Sequence, residues 1–241
     1  MAKHLFISDL HLAPERPDII KLFIEFLNNQ AAQAQSLYIL GDLVEYWLGD
    51  DDNAVGLNQA FDAMKQLADN GVKIYLMHGN RDFLMGEKLA TRCGCELIRE
   101  PYVANFDNIP VLLLHGDILC TDDLRYQELR LMLRNPAWQQ DFLSKSLADR
   151  EQMALALRKQ SKEETQLKSS DIMDVNETAV NTAFIDNNVS LMIHGHTHRP
   201  KVHISEINNK AVTRIVLGDW YSQGSVLEFN SSDDFKLNFF D

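Results

Sequence analysis

The chain has 241 residues, of which 45% are hydrophobic and 24% charged, as expected for a globular protein with a sizeable core. Its formal net charge of −12 argues against general nucleic-acid binding, which needs basic surface to neutralise phosphates. The three cysteines, Cys93, Cys95 and Cys120, suggest neither a disulfide framework nor a cysteine-rich zinc site.

The amino-terminal residues do not resemble a secretion signal. They carry charges at Lys3 and Asp9 and lack a long apolar core. No apolar run approaches the ~18–20 residues that cross a bilayer as a helix. We therefore expect a cytoplasmic protein, or one attached peripherally to a membrane.

The first third of the chain alternates predicted strands with predicted helices. The strands are short apolar runs at His4–Ser8, Leu37–Leu40 and Lys73–Met77. The helices cover residues 14–32, starting near Pro14, and about 53–70, ending at Asn70-Gly71. This alternation predicts a parallel sheet with helices packed outside it.

Strands predominate again towards the carboxyl end. Further strands are predicted at 96–98, 102–106, 111–114 and 191–193. The segment Asp174–Glu177 has the form of a capping box, with Asp174 as the cap, and predicts a helix to about Asp186. Four alternating segments then predict a closing run of antiparallel strands, at 201–207, 212–217, 225–229 and 235–240.

Residues 123–172 differ from the rest of the chain. They contain nine Lys or Arg and eight Asp or Glu, show helical periodicity and lack glycine. We interpret them as a helical insertion into a core formed by residues 1–122 and 173–241. Most of the negative charge of the protein then belongs to the core.

Polar clusters follow five of the predicted strands. They contain Asp9 and His11, Gly41-Asp42, Gly79-Asn80-Arg81-Asp82, His115, and His194, His196 and His198. Taken singly, each cluster is compatible with an ordinary turn. Together they lie at the carboxyl ends of strands, where open α/β sheets bind ligands.

The three histidines of the last cluster occupy alternate positions. On a strand, a spacing of two directs side chains to the same face, which suggests a patch of metal ligands. Gly195 lets the backbone approach this patch closely. The alternative is a surface strand on which the histidines occur by chance.

The combined ligand set consists of carboxylates, imidazoles and one amide, without a thiolate. Such ligands suit Mn²⁺, Mg²⁺, Fe²⁺ or Zn²⁺. Seven candidate ligands are too many for one tetrahedral ion, so we predict two metal ions with Asp42 between them. Paired ions ~3.5–4 Å apart suit in-line attack of an activated water on phosphorus.

The order D-x-H, G-D, G-N, H and G-H-x-H resembles the calcineurin-like metallophosphoesterase superfamily. The resemblance implies an α/β fold, a four-layer α/β/β/α sandwich with a dinuclear site at the strand ends. It assigns Asp9, His11 and His198 to one metal, Asn80, His115 and His196 to the other, and Asp42 to both. His194 is then expected behind the ligands or in the core, and His4 and His203 are expected to be structural or exposed.

Arg81 departs from the general superfamily pattern, in which a histidine often follows the asparagine and assists the leaving group. An arginine cannot act as a general acid near neutral pH, because its pKa stays above ~12. It can bind a phosphate through two hydrogen bonds. We therefore predict a phosphate leaving group, and cleavage of a pyrophosphate bond, with Asp42 and Arg81 as catalytic residues.

Longer motifs are similar to those of one family within the superfamily, the UDP-2,3-diacylglucosamine hydrolases of lipid A biosynthesis. The motifs are L-F-I-S-D-L-H-L, Y-I-L-G-D-L-V-E-Y-W-L-G-D-D, H-G-N-R-D-F-L-M-G, H-G-D-I-L-C-T-D-D, I-M-D-V-N and I-H-G-H-T-H-R-P. The resemblance implies Mn²⁺-dependent water attack at the α-phosphorus of the UDP-diacylglucosamine lipid, giving UMP and 2,3-diacylglucosamine 1-phosphate. It also implies peripheral attachment to the cytoplasmic face of the inner membrane.

The same resemblance makes the helical insertion a lid over the substrate. The implied substrate contacts are Asn80, Arg81, Asp123, Ser161, Thr165, Lys168 and His196. Thr165 replaces a common asparagine, which leaves its contact open. Without the resemblance, Ser161 and Lys168 would be interpreted as a solvated helix surface.

The insertion also contains regularly placed apolar residues. They are Leu131, Leu133, Trp138, Phe142, Leu143, Leu147, Met153, Leu155 and Leu157. They can form an acyl-chain groove whose basic rim rests on anionic lipid. They can equally form the packing face of a helical hairpin, and both interpretations can hold together.

Two other functions are compatible with parts of the pattern. One is hydrolysis of soluble nucleotide sugars or cyclic nucleotides, for which an apolar insertion has no use. The other is a non-catalytic binding module, for which intact metal ligands are not needed. A nuclease is disfavoured by the negative charge, and no obligate protein partner is evident from the sequence.

Overall fold

The computed structural model describes residues 3–166 and 172–241, and within them the strands form two sheets. The first sheet has the order β11-β10-β1-β2-β3-β4 and the second the order β5-β6-β7-β9-β8. The strand bounds are β1 His4–Ile7, β2 Ser36–Leu40, β3 Lys73–Met77, β4 Cys95–Ile98, β5 Tyr102–Phe106, β6 Ile109–Leu114, β7 Leu191–His194, β8 Lys201–Ile207, β9 Lys210–Val216, β10 Gly224–Ser231 and β11 Asp234–Phe240.

The helices connect the strands and form the insertion. They are α1 Pro17–Asn29, α2 Asn58–Asp69, α3 Glu87–Cys93, α4 Leu124–Leu133, α5 Pro136–Leu143, α6 Leu147–Gln166 and α7 Glu177–Asn187. Among the helices described here, none is long and apolar enough to cross a membrane.

The two sheets pack face to face because their strands are apolar on both sides. In β1, Phe6 contacts the core between the sheets, whereas Leu5 and Ile7 contact the core beneath α1 and α2. In β7, Ile193 faces the first sheet and Met192 faces α7. Successive side chains of a strand point to opposite faces, so two helical layers enclose two sheets. The predicted four-layer α/β/β/α sandwich is confirmed.

The parallel centre of each sheet brings several strand ends to one edge. Strands β1 to β4 pair in parallel in the first sheet, and β6, β7 and β9 pair in parallel in the second. The loops after β1 and β2 are joined directly, since Asp9 N donates to Gly41 O at 3.1 Å and His11 N to Asp42 O at 3.0 Å. The polar residues that follow these strands therefore share one edge.

Several predicted boundaries need correction. The first helix begins at Pro17 rather than Pro14, and the second begins at residue 58, after an irregular stretch and a turn at 55–57. Helix α3 was not predicted, because seven residues are too few for a clear apolar period. Helix α7 is capped by Asn176, whose Oδ1 accepts from Ala179 N, and not by Asp174.

The predicted closing run of antiparallel strands is wrong as a single unit. Strands β8 and β9 form a hairpin in the second sheet, whereas β10 and β11 form one in the first. In addition, β9 pairs in parallel with β7. The alternating pattern identified the strands but contained no information on which sheet each of them joins.

The segment predicted as an insertion contains α4, α5 and α6, and arginines connect these helices to the sandwich. Arg150 is almost fully buried, donates to Leu48 O at 2.6 Å and pairs with Asp51. Arg134 donates to Gly79 O at 2.9 Å. The basic residues of this segment therefore serve partly to bind the acidic core.

Candidate dinuclear metal site

The loops at the shared sheet edge have an unusual backbone. Five non-glycine residues there have positive φ, namely Asp9 (56°), His11 (49°), Asp42 (52°), His196 (69°) and His198 (54°). Such angles are uncommon for residues with a Cβ and cluster at functional sites. All five are predicted metal ligands, so the unusual backbone angles occur at the residues for which metal binding was predicted.

Asp9, His11 and His198 form one group whose ligand atoms lie within 4.8 Å of one another. Asp9 is completely buried, and its Oδ1 lies 3.3 Å from His198 Nε2. Asp9 Oδ1 and His11 Nε2 are buried and make no well-formed hydrogen bond among the described residues. Their lone pairs are therefore available to a cation.

Asn80, His115 and His196 form a second group. Asn80 Oδ1 lies 2.9 Å from both His115 Nε2 and His196 Nδ1. His115 is fully buried, and its other ring nitrogen lies 2.9 Å from Leu40 O. This contact makes Nδ1 the protonated nitrogen of the neutral ring, so the neutral imidazole would present the lone pair of Nε2 to a metal.

Asp42 lies between the two groups. Its Oδ2 is 3.7 Å from His11 Nε2, and its Oδ1 is 3.9 Å from His115 Nε2. Oδ1 also accepts a hydrogen bond from Arg81 N at 2.8 Å, which fixes the carboxylate. Asp9 is within ligand distance of both Asp42 and His115 as well, so two carboxylates lie where the groups meet.

Burial and charge shift the pKa values of these side chains strongly. Burial raises the pKa of Asp42 to about 6, against the lowering effect of His115 and His11. Burial alone would lower the pKa of His115, but the carboxylates of Asp42 and Asp9 raise it to about 9. Burial lowers the pKa of His196 to about 4. Buried carboxylates whose charge is compensated by imidazoles form an environment suited to divalent cations.

Two glycines allow the loops to approach closely. A Cβ on Gly79 would lie 2.1 Å from Asp42 Oδ1, and one on Gly195 would lie 2.2 Å from Ser8 Oγ and 2.3 Å from Asp9 Oδ2. Since real Cβ contacts are much longer, these positions exclude any larger residue. Asp9 Oδ2 also accepts from His196 N at 2.8 Å, which holds the loop after β7 against the loop after β1.

The prediction that His194, His196 and His198 point to the same face of a strand was wrong. Strand β7 ends at His194, and the next two histidines adopt positive φ in a loop. His194 is fully buried, with Nδ1 2.9 Å from Gly195 O and Nε2 3.0 Å from Arg214 Nη1. Burial, reinforced by Arg214, lowers its pKa to about 3. His194 thus lies behind the ligand cluster.

Five of the seven predicted substrate contacts line one cavity, and two of them, Asn80 and His196, belong to the ligand cluster itself. Arg81, Asp123 and Ser161 surround an opening of about 920 Å³ in front of it. Asp123 also caps α4 by accepting from Tyr126 N. Arg81 Nε is buried and makes no hydrogen bond among the described residues. Lys168 and the side chain of Thr165 lie outside the part of the chain that the structure describes.

A second cavity, of about 790 Å³, continues from the first beneath the insertion. Both cavities are lined by Asn80, Arg81, Tyr126 and Ser161. The lining of the second is otherwise largely apolar and includes Phe83, Leu84, Leu129, Leu133, Trp138, Phe142 and Leu157. The structure therefore connects the ligand cluster to an apolar space between sandwich and insertion.

The regularly placed apolar residues of the insertion differ in their surroundings, and some are buried whereas others are exposed. Leu133, Trp138, Phe142 and Leu157 line the apolar cavity, and Leu147 and Met153 pack on the core. Leu131, Leu143 and Leu155 are instead exposed, Leu131 by 71%. The insertion therefore contributes both to the wall of the apolar cavity and to packing against the core.

Sequence patterns did not identify several residues that contact the cluster. Glu45 Oε2 lies 2.9 Å from His11 Nδ1, and Tyr221 stacks on the His11 ring at 5.3 Å. Tyr126 lies over His196 and donates to Asp117 Oδ2 at 2.6 Å. These contacts join distant loops. The only local signal was that Glu45 and Asp117 follow the G-D and H-G motifs.

Comparison with known proteins identifies the family of the chain through a family model. Residues 2–200 match the calcineurin-like phosphoesterase family. An archaeal phosphodiesterase of known structure covers 98% of this chain and 99% of its own, with a TM-score of 0.49 and 14% sequence identity.

Curated relatives are much more similar. UDP-2,3-diacylglucosamine hydrolase of Stenotrophomonas maltophilia is 48% identical over 235 residues, which is 95% of each chain. The enzymes of that name from Pseudomonas aeruginosa and Vibrio parahaemolyticus are 46% and 45% identical, over 95% and 97% of this chain and 95% and 96% of their own. The chain belongs to the calcineurin-like phosphoesterase family and, within it, to the family of the UDP-2,3-diacylglucosamine hydrolases.

Proposed function

We propose that this protein hydrolyses the pyrophosphate bond of UDP-2,3-diacylglucosamine in lipid A biosynthesis. The products are UMP and 2,3-diacylglucosamine 1-phosphate. The observation that carries the proposal is the continuity between a carboxylate–imidazole cluster and an apolar cavity, through Asn80 and Arg81. A diphosphate at the cluster leaves the acyl chains of such a substrate in the apolar cavity.

The ligands proposed for the metal ions are Asp9, His11, Asp42, Asn80, His115, His196 and His198. Carboxylate, imidazole and amide donors without a thiolate support Mn²⁺. Asp9 Oδ1 and His11 Nε2, which are buried without a well-formed hydrogen bond to the described residues, support occupancy by a cation. When bound, such ions would supply Lewis acidity to the phosphoryl oxygens and activate water for attack. Asp42 directs one oxygen towards each group of candidate ligands, and we propose that it would be a ligand shared by both ions.

Arg81 is proposed to bind the diphosphate. Its backbone N–H is already fixed on Asp42 Oδ1, whereas Nε of its guanidinium is buried and makes no hydrogen bond to the residues that the structure describes. A guanidinium beside the cluster can hold a phosphate through two parallel hydrogen bonds. A phosphate leaving group has a second pKa of roughly 6 and needs no proton donor at neutral pH. Arg81 can therefore stabilise the departing phosphate by charge and hydrogen bonds, without transferring a proton.

The insertion, residues 123–172, is proposed to act as a lid that selects the acylated substrate. Trp138 stacks on Phe142 at 5.1 Å between ring centres and lies 6.4 Å from Phe83, which makes an aromatic wall along the apolar cavity. Asp123 and Ser161 are proposed to bind the sugar or amide groups at the entrance. Lys168 and Thr165 are proposed from the motif match alone.

Peripheral attachment to the inner membrane, at its cytoplasmic face, is proposed on the apolar side chains that the insertion exposes. Leu124 and Leu131 are 70% and 71% exposed, and Met132, Leu143 and Leu155 are also exposed. Vesicles of anionic phospholipid should retain the parent protein in a sedimentation assay. A Leu124→Ser, Leu131→Ser double variant should remain in the supernatant, and equal retention of both proteins would contradict the proposal.

The proposed reaction is tested by incubating the purified protein with UDP-2,3-diacylglucosamine and Mn²⁺ and measuring UMP. UDP-N-acetylglucosamine, which shares the diphosphate but lacks the long acyl chains, is the matched substrate control. We expect rapid release of UMP from the acylated substrate only. Equal cleavage of both would favour a soluble nucleotide sugar, and no cleavage of either would contradict the proposal.

A further inference from the structure

Glu45 connects one candidate metal ligand to the helical insertion. Its Oε2 lies 2.9 Å from His11 Nδ1, and its Oε1 lies 2.5 Å from Nη2 of Arg158, a residue of α6. The carboxylate is 19% exposed. One side chain therefore touches both the ligand cluster and the lid.

The backbone fixes this position. Glu45 N donates to Leu12 O at 3.0 Å, and Leu12 and Val44 form an isolated parallel bridge. The segment carrying Glu45 therefore runs beside the one carrying His11. Tyr221 lies parallel to the imidazole, with an interplanar angle of 6°. Stacking on Tyr221 and the contact with Glu45 together restrict both the tilt and the rotation of the His11 ring.

The contact also determines which nitrogen of His11 can bind a metal. A carboxylate oxygen 2.9 Å from Nδ1 favours the proton on that nitrogen, so the lone pair resides on Nε2. His11 Nε2 is buried and lies 3.7 Å from Asp42 Oδ2, whereas Glu45 Oε2 is the carboxylate oxygen beside Nδ1, at 2.9 Å. Glu45 thus holds His11 in the tautomer that a cation beside Asp42 requires.

Arg158 extends the connection into the lid. Its guanidinium lies over the Tyr46 ring at 5.4 Å and lines the apolar cavity. Any displacement of α6 therefore changes the charge facing Glu45 Oε1. Since coupling between two binding events is reciprocal, ions at His11 should favour docking of α6, and docked α6 should favour ion binding.

We propose that Glu45 is a positioning residue that orients His11 for metal binding and couples that metal position to the docking of α6. This inference rests on the metal-dependent function proposed above. It predicts that loss of the Glu45 carboxylate affects only one of two metal positions, because Glu45 contacts His11 and lies outside the group of Asn80, His115 and His196.

The test is a titration of the metal-free protein with Mn²⁺, in which free Mn²⁺ is measured by electron paramagnetic resonance. We expect two bound equivalents for the parent. In Glu45→Gln one equivalent should bind about 10–100-fold more weakly, as for other partners of metal-ligating histidines, while the other is unchanged. Glu15→Gln is the matched control, since Glu15 lines the same outer groove but is exposed.

Hydrogen exchange of the α6 amides, residues 147–159, measures the coupling. Mn²⁺ should slow this exchange in the parent and in Glu15→Gln but not in Glu45→Gln or Arg158→Gln. If Glu45→Gln fails to fold, Arg158→Gln tests the same coupling from the insertion side. Equal Mn²⁺ affinities in parent and Glu45→Gln, or an unchanged metal effect on α6 in both variants, would overturn the inference. A parent that binds no Mn²⁺ would instead overturn the metal-dependent function itself.

Discussion

The sandwich and the helical insertion are held in place by different interactions. In the sandwich, strands such as β1 and β7 bury apolar side chains on both faces. In the insertion, α4 has no buried residue and α5 has only Phe142. Arginines compensate, since Arg130 and Arg150 reach carboxylates of the core.

This difference separates two tasks. The candidate ligands stand on loops whose ends are fixed by a rigid, dry core, which suits a site that must hold metal ions in one geometry. The insertion is joined to the sandwich by arginine–carboxylate pairs and a few apolar contacts, and it borders the apolar cavity proposed above for the acyl chains. Mutations should therefore separate the chemistry from the selection of substrate, and the following changes test that separation.

The largest effect is expected from Asp42→Ala. This carboxylate lies between both groups of candidate ligands, and loss of a shared ligand should exceed the about 10–100-fold cost of losing an outer partner. We expect UMP release to fall by more than about 10³-fold while circular dichroism retains the folded spectrum. Activity within tenfold of the parent would show that the cluster does not carry the chemistry.

Arg81→Met should have the next largest effect. The substitution keeps the length of the side chain but removes a guanidinium that faces the cavity in front of the cluster. A charge-assisted hydrogen bond contributes about 1.5–3 kcal/mol, so we expect kcat/KM to fall about 10–100-fold. The control is the Mn²⁺ stoichiometry, which should stay at the parent value; loss of metal binding would assign Arg81 a structural role instead.

Trp138→Ala tests the role of the insertion in selecting the acylated substrate. The indole forms part of the wall of the apolar cavity and lies away from the ligand cluster. Removing part of an apolar wall should weaken binding of the acyl chains by about 1–2 kcal/mol, raising KM for the diacylated substrate about tenfold. Mn²⁺ binding should not change. An unchanged KM would mean that the acyl chains lie elsewhere.

Arg150→Met should have the smallest effect of the four. It removes a buried guanidinium whose partner Asp51 is 56% exposed, so solvent screens part of the interaction. We expect a loss of about 1 kcal/mol in the free energy of unfolding, or about 2–4 °C in Tm, and a few-fold loss of activity. Lys145→Met, which breaks an exposed pair with Asp141, is the matched control and should change Tm less.

The sequence predicted those parts of the fold that depend on local pattern. Strand β3 was predicted with both of its bounds, and the strand-end positions of Asp42, Asn80 and His115 followed from the apolar runs before them. Positive φ at His196 and His198 was not predicted, because histidine signals it only weakly and the contacts of the loop with Asp9 are long-range.

Long-range contacts account for most of what sequence reasoning missed. The parallel pairing of β7 with β9 depends on the assembly of the second sheet, and no local period encodes it. The contact of Glu45 with His11 joins two loops after different strands. The acidic residues Asp50 and Asp51 form no part of the candidate site, because Asp50 binds the backbone at the start of α3 and Asp51 binds Arg150.

The most direct test of the account is hydrolysis of UDP-2,3-diacylglucosamine with Mn²⁺ in ¹⁸O-labelled water, followed by mass spectrometry of both products. The resemblance to the UDP-2,3-diacylglucosamine hydrolases implies attack of water at the α-phosphorus, which we propose for this protein. The account predicts one ¹⁸O atom in UMP and none in 2,3-diacylglucosamine 1-phosphate. Label in the lipid product, or no reaction, would contradict it.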